Sequence, residues 1–122
     1  MTEATLFSGV NHASDADNMS DLEKKHVPVI TAPDSVRAGE PFNVTVEVGK
    51  HLAHPNSHDH YINFLHLYAG DLFLARLDLI PARSNPEMTV NVQLDQDLGP
   101  LRAFEFCNIH GTWESRKPIA VT

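Results

Sequence analysis

The stretch Phe42 to Val48, "FNVTVEV", alternates without a fault: Phe42, Val44, Val46 and Val48 fall on one side, Asn43, Thr45 and Glu47 on the other. A period of two with β-branched residues on the apolar side is the pattern of a strand with one buried face, and it cannot be laid on a helix. "MTVNVQL" (88–94) alternates again, and "YINFLHLY" (61–68) and "DLFLARLDL" (71–79) are more continuously apolar, with Ala69-Gly70 between them marking a tight hairpin. "HVPVITAP" is short, β-branched and closed by a proline, "APDSVRAGEP" is dense in turn formers, "LRAFEFC" (101–107) follows "QDLGP", and "IAVT" closes the chain. About seven short strands and no long amphipathic helix predict an all-β chain, an immunoglobulin-like antiparallel β-sandwich, with a small barrel as runner-up.

A chain of 122 residues is one domain's worth of core. Residues 1–23 differ from the rest: they hold five acids (Glu3, Asp15, Asp17, Asp21, Glu23) and no Lys or Arg, so most of the net charge of −7 sits there. We expect a polar, loosely ordered arm over 1–23, with one helical turn near Asp21 to Lys24, and the sandwich over 24–122. No basic stripe interleaved with aromatics exists, which argues against nucleic acid. No run of about 18 apolar residues exists for a membrane helix. The N-terminus lacks a basic start followed by an apolar block, so no secretory signal is expected, and a single cysteine suits a reducing compartment, the cytoplasm.

That cysteine, Cys107, opens the stretch "CNIH", and the chain carries eight histidines: His12, His26, His51, His54, His58, His60, His66 and His110. Four lie in "HLAHPNSHDH" (51–60), a loop between two predicted strands, the usual place for a site on a rigid scaffold. Taken singly, each residue has an ordinary role. A lone cysteine at a strand end is a small core residue, a loop histidine is a surface residue, His66 inside an apolar strand is a packed one, and His12 in the arm is inert. The cluster together with Cys-x-x-His is different, because imidazole and thiolate are transition-metal ligands. Structural zinc sites usually hold several cysteines. Blue copper often adds a methionine beyond the last histidine, and none follows Cys107. Imidazoles with one thiolate suit iron, though a zinc- or copper-binding module without turnover stays open.

The motifs "KHVPVI" (25–30), "VGKHLAHPN" (48–56), "LYAGDLFLAR" (67–76) and "CNIHGTWE" (107–114) resemble superoxide reductase, the non-haem iron family of neelaredoxin and the iron domain of desulfoferrodoxin. The resemblance spans residues 24–117. It implies one mononuclear Fe(II)/Fe(III) centre with four equatorial imidazoles, His26, His54, His60 and His110, the axial thiolate of Cys107, and a sixth position left for substrate. It implies one-electron reduction of superoxide to hydrogen peroxide, an electron donor such as a rubredoxin-like protein, and a homodimer or homotetramer. Lys25, with Lys24 beside it, is expected to attract the anion, and backbone N–H groups over 108–110 to hydrogen-bond the sulfur. One departure stands out. The family often reads Glu-Lys-His-Val-Pro, but here "EKKHVP" puts Lys24 where the glutamate belongs and moves Glu23 one residue away. Closure of the oxidised centre by that carboxylate is therefore in question.

Overall fold

The structure, a computed structural model, describes residues 9–122. Its elements in chain order are β1 (Val10–Asn11), α1 (Asp21–His26), β2 (Val29–Thr31), β3 (Ser35–Val36), β4 (Phe42–Glu47), β5 (Ile62–Ala69), β6 (Leu72–Asp78), β7 (Glu87–Val92), β8 (Leu101–Cys107), β9 (Gly111–Lys117) and β10 (Ala120–Val121). They form a five-stranded sheet in the order β1-β9-β8-β5-β6, a three-stranded sheet β2-β4-β7, and a two-stranded ribbon β10-β3. The long pairings are all antiparallel; only the two-residue contacts β1–β9 and β3–β10 are parallel.

The alternation of β4 is what makes this a sandwich. Phe42, Val44 and Val46 are buried, and they join Leu65, Leu67 and Ala69 of β5 and Leu101, Ala103 and Cys107 of β8 in one apolar cluster. Burying these faces against each other is the main stabilising term. The all-β sandwich expected from the sequence is therefore the fold observed. The hairpin between β5 and β6 turns one residue later than the pattern suggests, at Gly70-Asp71. Gly70 has φ +55°, and any Cβ there would collide with the Leu98 carbonyl oxygen.

Three strands escaped the sequence reading. β1 and β3 are two residues each, too short to show a period. β9, "GTWESRK", is polar and shows no clean alternation, because its buried Glu114 is held by ion pairs rather than by apolar neighbours. In the stretch expected to be loosely ordered, Val10 and Asn11 pair with Thr112 and Trp113, and the helical turn extends to His26; residues 1–8 of the arm lie outside the described residues.

Candidate metal centre

Three local structures deliver the imidazoles and the thiolate to one end of the sandwich. The first is α1. Ser20 caps it in a capping box: its hydroxyl accepts the Glu23 N–H, and the Glu23 carboxylate accepts the Ser20 N–H at 2.9 Å. Asp21 and Glu23 in the first turn, with Lys24, Lys25 and His26 in the last, suit the helix dipole. Pro28 follows, so Val27 is extended and the helix stops with His26 buried at 1% exposure. The His26 Nδ1 lies 2.7 Å from the Leu22 carbonyl oxygen. A carbonyl only accepts, so Nδ1 carries the hydrogen and Nε2 is bare.

The second is the loop from 48 to 60. Gly49 turns it at φ +87°, where a Cβ would stand 2.9 Å from the His54 backbone nitrogen. Asn56 anchors it, donating to the Ser84 carbonyl at 3.0 Å and accepting the Ala82 N–H at 2.9 Å. The His54 Nδ1 donates to the Pro55 carbonyl at 2.6 Å, which again leaves Nε2 bare. A turn from Ser57 to His60 ends the loop, and there the His60 Nε2 is buried with no hydrogen-bond partner among the described residues.

The third is the β8–β9 hairpin. Cys107 is fully buried, and its sulfur accepts the His110 N–H at 3.4 Å, with the His110 Nδ1 at 3.8 Å. Trp113 stacks on the His26 ring at 5.1 Å and donates its indole N–H to the His110 carbonyl at 3.2 Å.

The four rings form a near-square. His26–His54, His54–His60, His60–His110 and His110–His26 centroids are 4.7, 4.7, 5.2 and 4.8 Å apart, and the diagonal His26–His60 is 6.5 Å. Candidate ligand atoms of His26, His60, Cys107 and His110 all lie within 4.8 Å of one another. The Nε2 atoms of His26 and His54 are 3.2 Å apart. Both are lone pairs, so this contact is repulsive unless a cation lies between the rings.

Electrostatics agree. Burial, then the charges of His110, His60 and Lys25, pull the His26 pKa down, against the Leu22 hydrogen bond. Burial lowers His54 to about 4, and burial, His110 and Lys25 lower His60. These three rings are neutral at pH 7 and need lose no proton to bind a metal. Bare, converging lone pairs, an unpartnered buried Nε2 and a buried sulfur make a donor set that fits a transition metal with affinity for nitrogen and sulfur.

The sequence model of the family described as Desulfoferrodoxin matches residues 18–116. The chain belongs to that family. It is 35% identical to the neelaredoxin of Megalodesulfovibrio gigas over 116 residues, covering 80% of this chain and 88% of the relative. It is 34% identical to the superoxide reductase of Pyrococcus furiosus over 110 residues, covering 75% and 86%. Among solved structures, the superoxide reductase (neelaredoxin) of Ignicoccus hospitalis superposes with a TM-score of 0.84 at 32% identity, over 98% of this chain and all of that one.

Of the residues that the family resemblance named, His26, His60, Cys107 and His110 bring their candidate ligand atoms together, and the His54 ring lies 4.7 Å from the rings of His26 and His60. The Lys25 charge bears on His26 and His60. Both carboxylate oxygens of Glu23 are held by backbone N–H groups, of Ser20 at 2.9 Å and Ser14 at 2.8 Å. The backbone bond from Ser20, followed by that from Ser14, lowers its pKa most. His58 is exposed, His51 lines a groove with Val27 and Pro118, and His66 packs between Phe64 and Tyr68 on the outer sheet face. His12 is not inert: its Nε2 lies 2.9 Å from the Glu114 carboxylate, which also takes Arg102 at 2.6 Å and Arg116 at 3.0 Å. Burial alone would raise the Glu114 pKa, but hydrogen bonds from Arg102, His12 and Arg116 outweigh it and bring it to about 2. Trp113 and Glu114 carry no signature in one sequence, because Trp113 stacks on His26 and Glu114 is held by His12 and Arg102, all distant along the chain.

Proposed function

We propose that the chain is a superoxide reductase, in which superoxide, one electron and two protons give hydrogen peroxide at a mononuclear non-haem Fe(II)/Fe(III) centre held by His26, His54, His60, His110 and Cys107. The square of four imidazoles on a buried thiolate carries this reading. Bound iron supplies the one-electron chemistry. The chain's own residues prepare for it. The Leu22 and Pro55 carbonyls fix the tautomers of His26 and His54, so both rings offer Nε2 in fixed directions. The His110 N–H tempers the charge on the Cys107 sulfur. Neutral imidazoles and a single thiolate leave a divalent site net positive, which favours an anionic substrate over the protein's overall charge of −7. Lys25 adds a local cation and is our candidate for steering superoxide. Lys24 is a lesser contributor, and Glu23 no ligand while its carboxylate caps α1.

We read the electron donor as a rubredoxin-like protein and the compartment as the cytoplasm; no helix among the described residues is long and apolar enough to cross a membrane. We further read the chain as a homo-oligomer. Phe64, Tyr68, Phe73, Phe104 and Phe106 form a contiguous ring array on the outer face of the five-stranded sheet, with Phe73 52% exposed. Aromatic surface of this kind is enriched at interfaces.

The test is to load the protein with Fe(II), measure bound metal, record the visible spectrum after oxidation, and mix with superoxide by stopped flow. We expect one iron per chain, a thiolate-to-iron absorption band that Cys107→Ser abolishes, and peroxide formed without oxygen release. Preference for zinc or copper with no superoxide consumption, or a band that survives Cys107→Ser, would overturn the assignment.

A further inference from the structure

We infer that Asn108 is a positioning residue that sets the distance between the His60 ring and the Cys107 sulfur. The inference rests on the metal-site reading above and concerns how the site is held at the gap between β5 and β8. Ile62 pairs with Cys107 and Phe64 with Phe106, so two steps along β5 match one along β8 and Asn63 is left as a bulge. Past Cys107 the ladder stops, since residues 108–110 turn into β9. Yet His60 lies on the β5 side beyond that point and must be brought to the thiolate.

Asn108 supplies the missing rungs. Its N–H donates to the Tyr61 carbonyl at 3.2 Å, its side-chain oxygen accepts the Tyr61 N–H at 2.9 Å, and its side-chain NH2 donates to the Asp59 carbonyl at 2.9 Å. The two clamped residues flank His60 on either side. The other hydrogen bonds of His60 among the described residues run only to Ser57, within its own turn, and its Nε2 has none. The ring therefore has little besides the clamp to fix its distance from the sulfur. Asparagine alone suits this position, because the side chain must present a donor and an acceptor at one short reach. Aspartate keeps the acceptor for Tyr61 but turns a second oxygen toward the Asp59 carbonyl.

Co(II) binding tests this without turnover, because cobalt reports thiolate ligation by its absorption. Outer partners of metal ligands typically change affinity 10–100-fold. Asn108 is exposed to water, so we expect about a tenfold loss of Co(II) affinity in Asn108→Ala, a smaller loss in Asn108→Asp, and a displaced thiolate-to-cobalt band in both. The far-UV circular dichroism of the metal-free proteins should match wild type. Asn43→Ala, which breaks an exposed cross-strand amide pair with Asn91 on the other sheet, should bind Co(II) as wild type does. Wild-type affinity and band position in Asn108→Asp and Asn108→Ala would overturn the role, as would an equal loss in Asn43→Ala. If the alanine variant does not fold, the aspartate variant decides. A wild-type protein that takes up Co(II) without any thiolate band would overturn the metal-site reading itself, and the clamp with it.

Discussion

Glu23 and Ser20 hold one another at the head of α1, each side chain bonded to the other's backbone N–H. The second oxygen of Glu23 takes the Ser14 N–H at 2.8 Å, so the same carboxylate ties the arm to the helix that carries His26. Replacing Glu23 by Ala should lower the thermal midpoint slightly through the lost cap and leave the visible spectrum of the oxidised iron protein, including its pH dependence, unchanged. A spectrum altered by the substitution would make Glu23 a ligand after all.

Lys25 stands directly before His26, and its charge is among those that lower the pKa of His26 and His60. Lys25→Ala should slow superoxide capture several-fold at low salt and flatten its dependence on ionic strength, while Lys24→Ala changes both less. Second-order rates measured across a salt series separate the two. Equal effects of both substitutions would mean that general charge, not position, governs capture.

Glu105 is wholly buried two residues from Cys107, and neither carboxylate oxygen has a partner among the described residues. Burial pushes its pKa from 4.5 up to about 9. The folded protein thus holds a proton between those values that the unfolded chain releases, so this residue lowers stability increasingly as pH rises across that window. Glu105→Leu should therefore stabilise the metal-free protein, by little near pH 4 and by a few kcal/mol near pH 8. Urea unfolding of both proteins at the two pH values checks the sign; a stability gap that does not widen with pH would show that Glu105 is partnered in solution.

The outer sheet face predicts an assembly. If Phe73, Tyr68 and Phe104 meet the same face of another copy, Phe73→Glu should shift the protein to monomers in light scattering after size exclusion. The metal-to-chain ratio should stay unchanged, because Phe73 lies on the edge strand β6, three strands from β9 in the sheet. A wild-type protein that is already monomeric, or a variant of unchanged mass, would remove this face as the interface.

The class of fold was legible in the order of residues alone, and so was a candidate metal centre in the histidine-rich loop and Cys-x-x-His, whereas the choice of His26, His54, His60, Cys107 and His110 came from the family resemblance. Alternation over 42–48 depends only on neighbours two residues apart, and histidines with one cysteine are chemically conspicuous wherever they lie. What those donors do emerged only on folding. Folding set the facing lone pairs of His26 and His54, 28 positions apart, and brought the Lys25 charge to bear on His60, 35 positions on. It also made β9 a strand, by pairing it with β8 and β1, and held its buried Glu114 with residues 12, 102 and 116. Charge and hydrogen bonding act over a few ångströms of space, and only the folded chain says which residues stand that close.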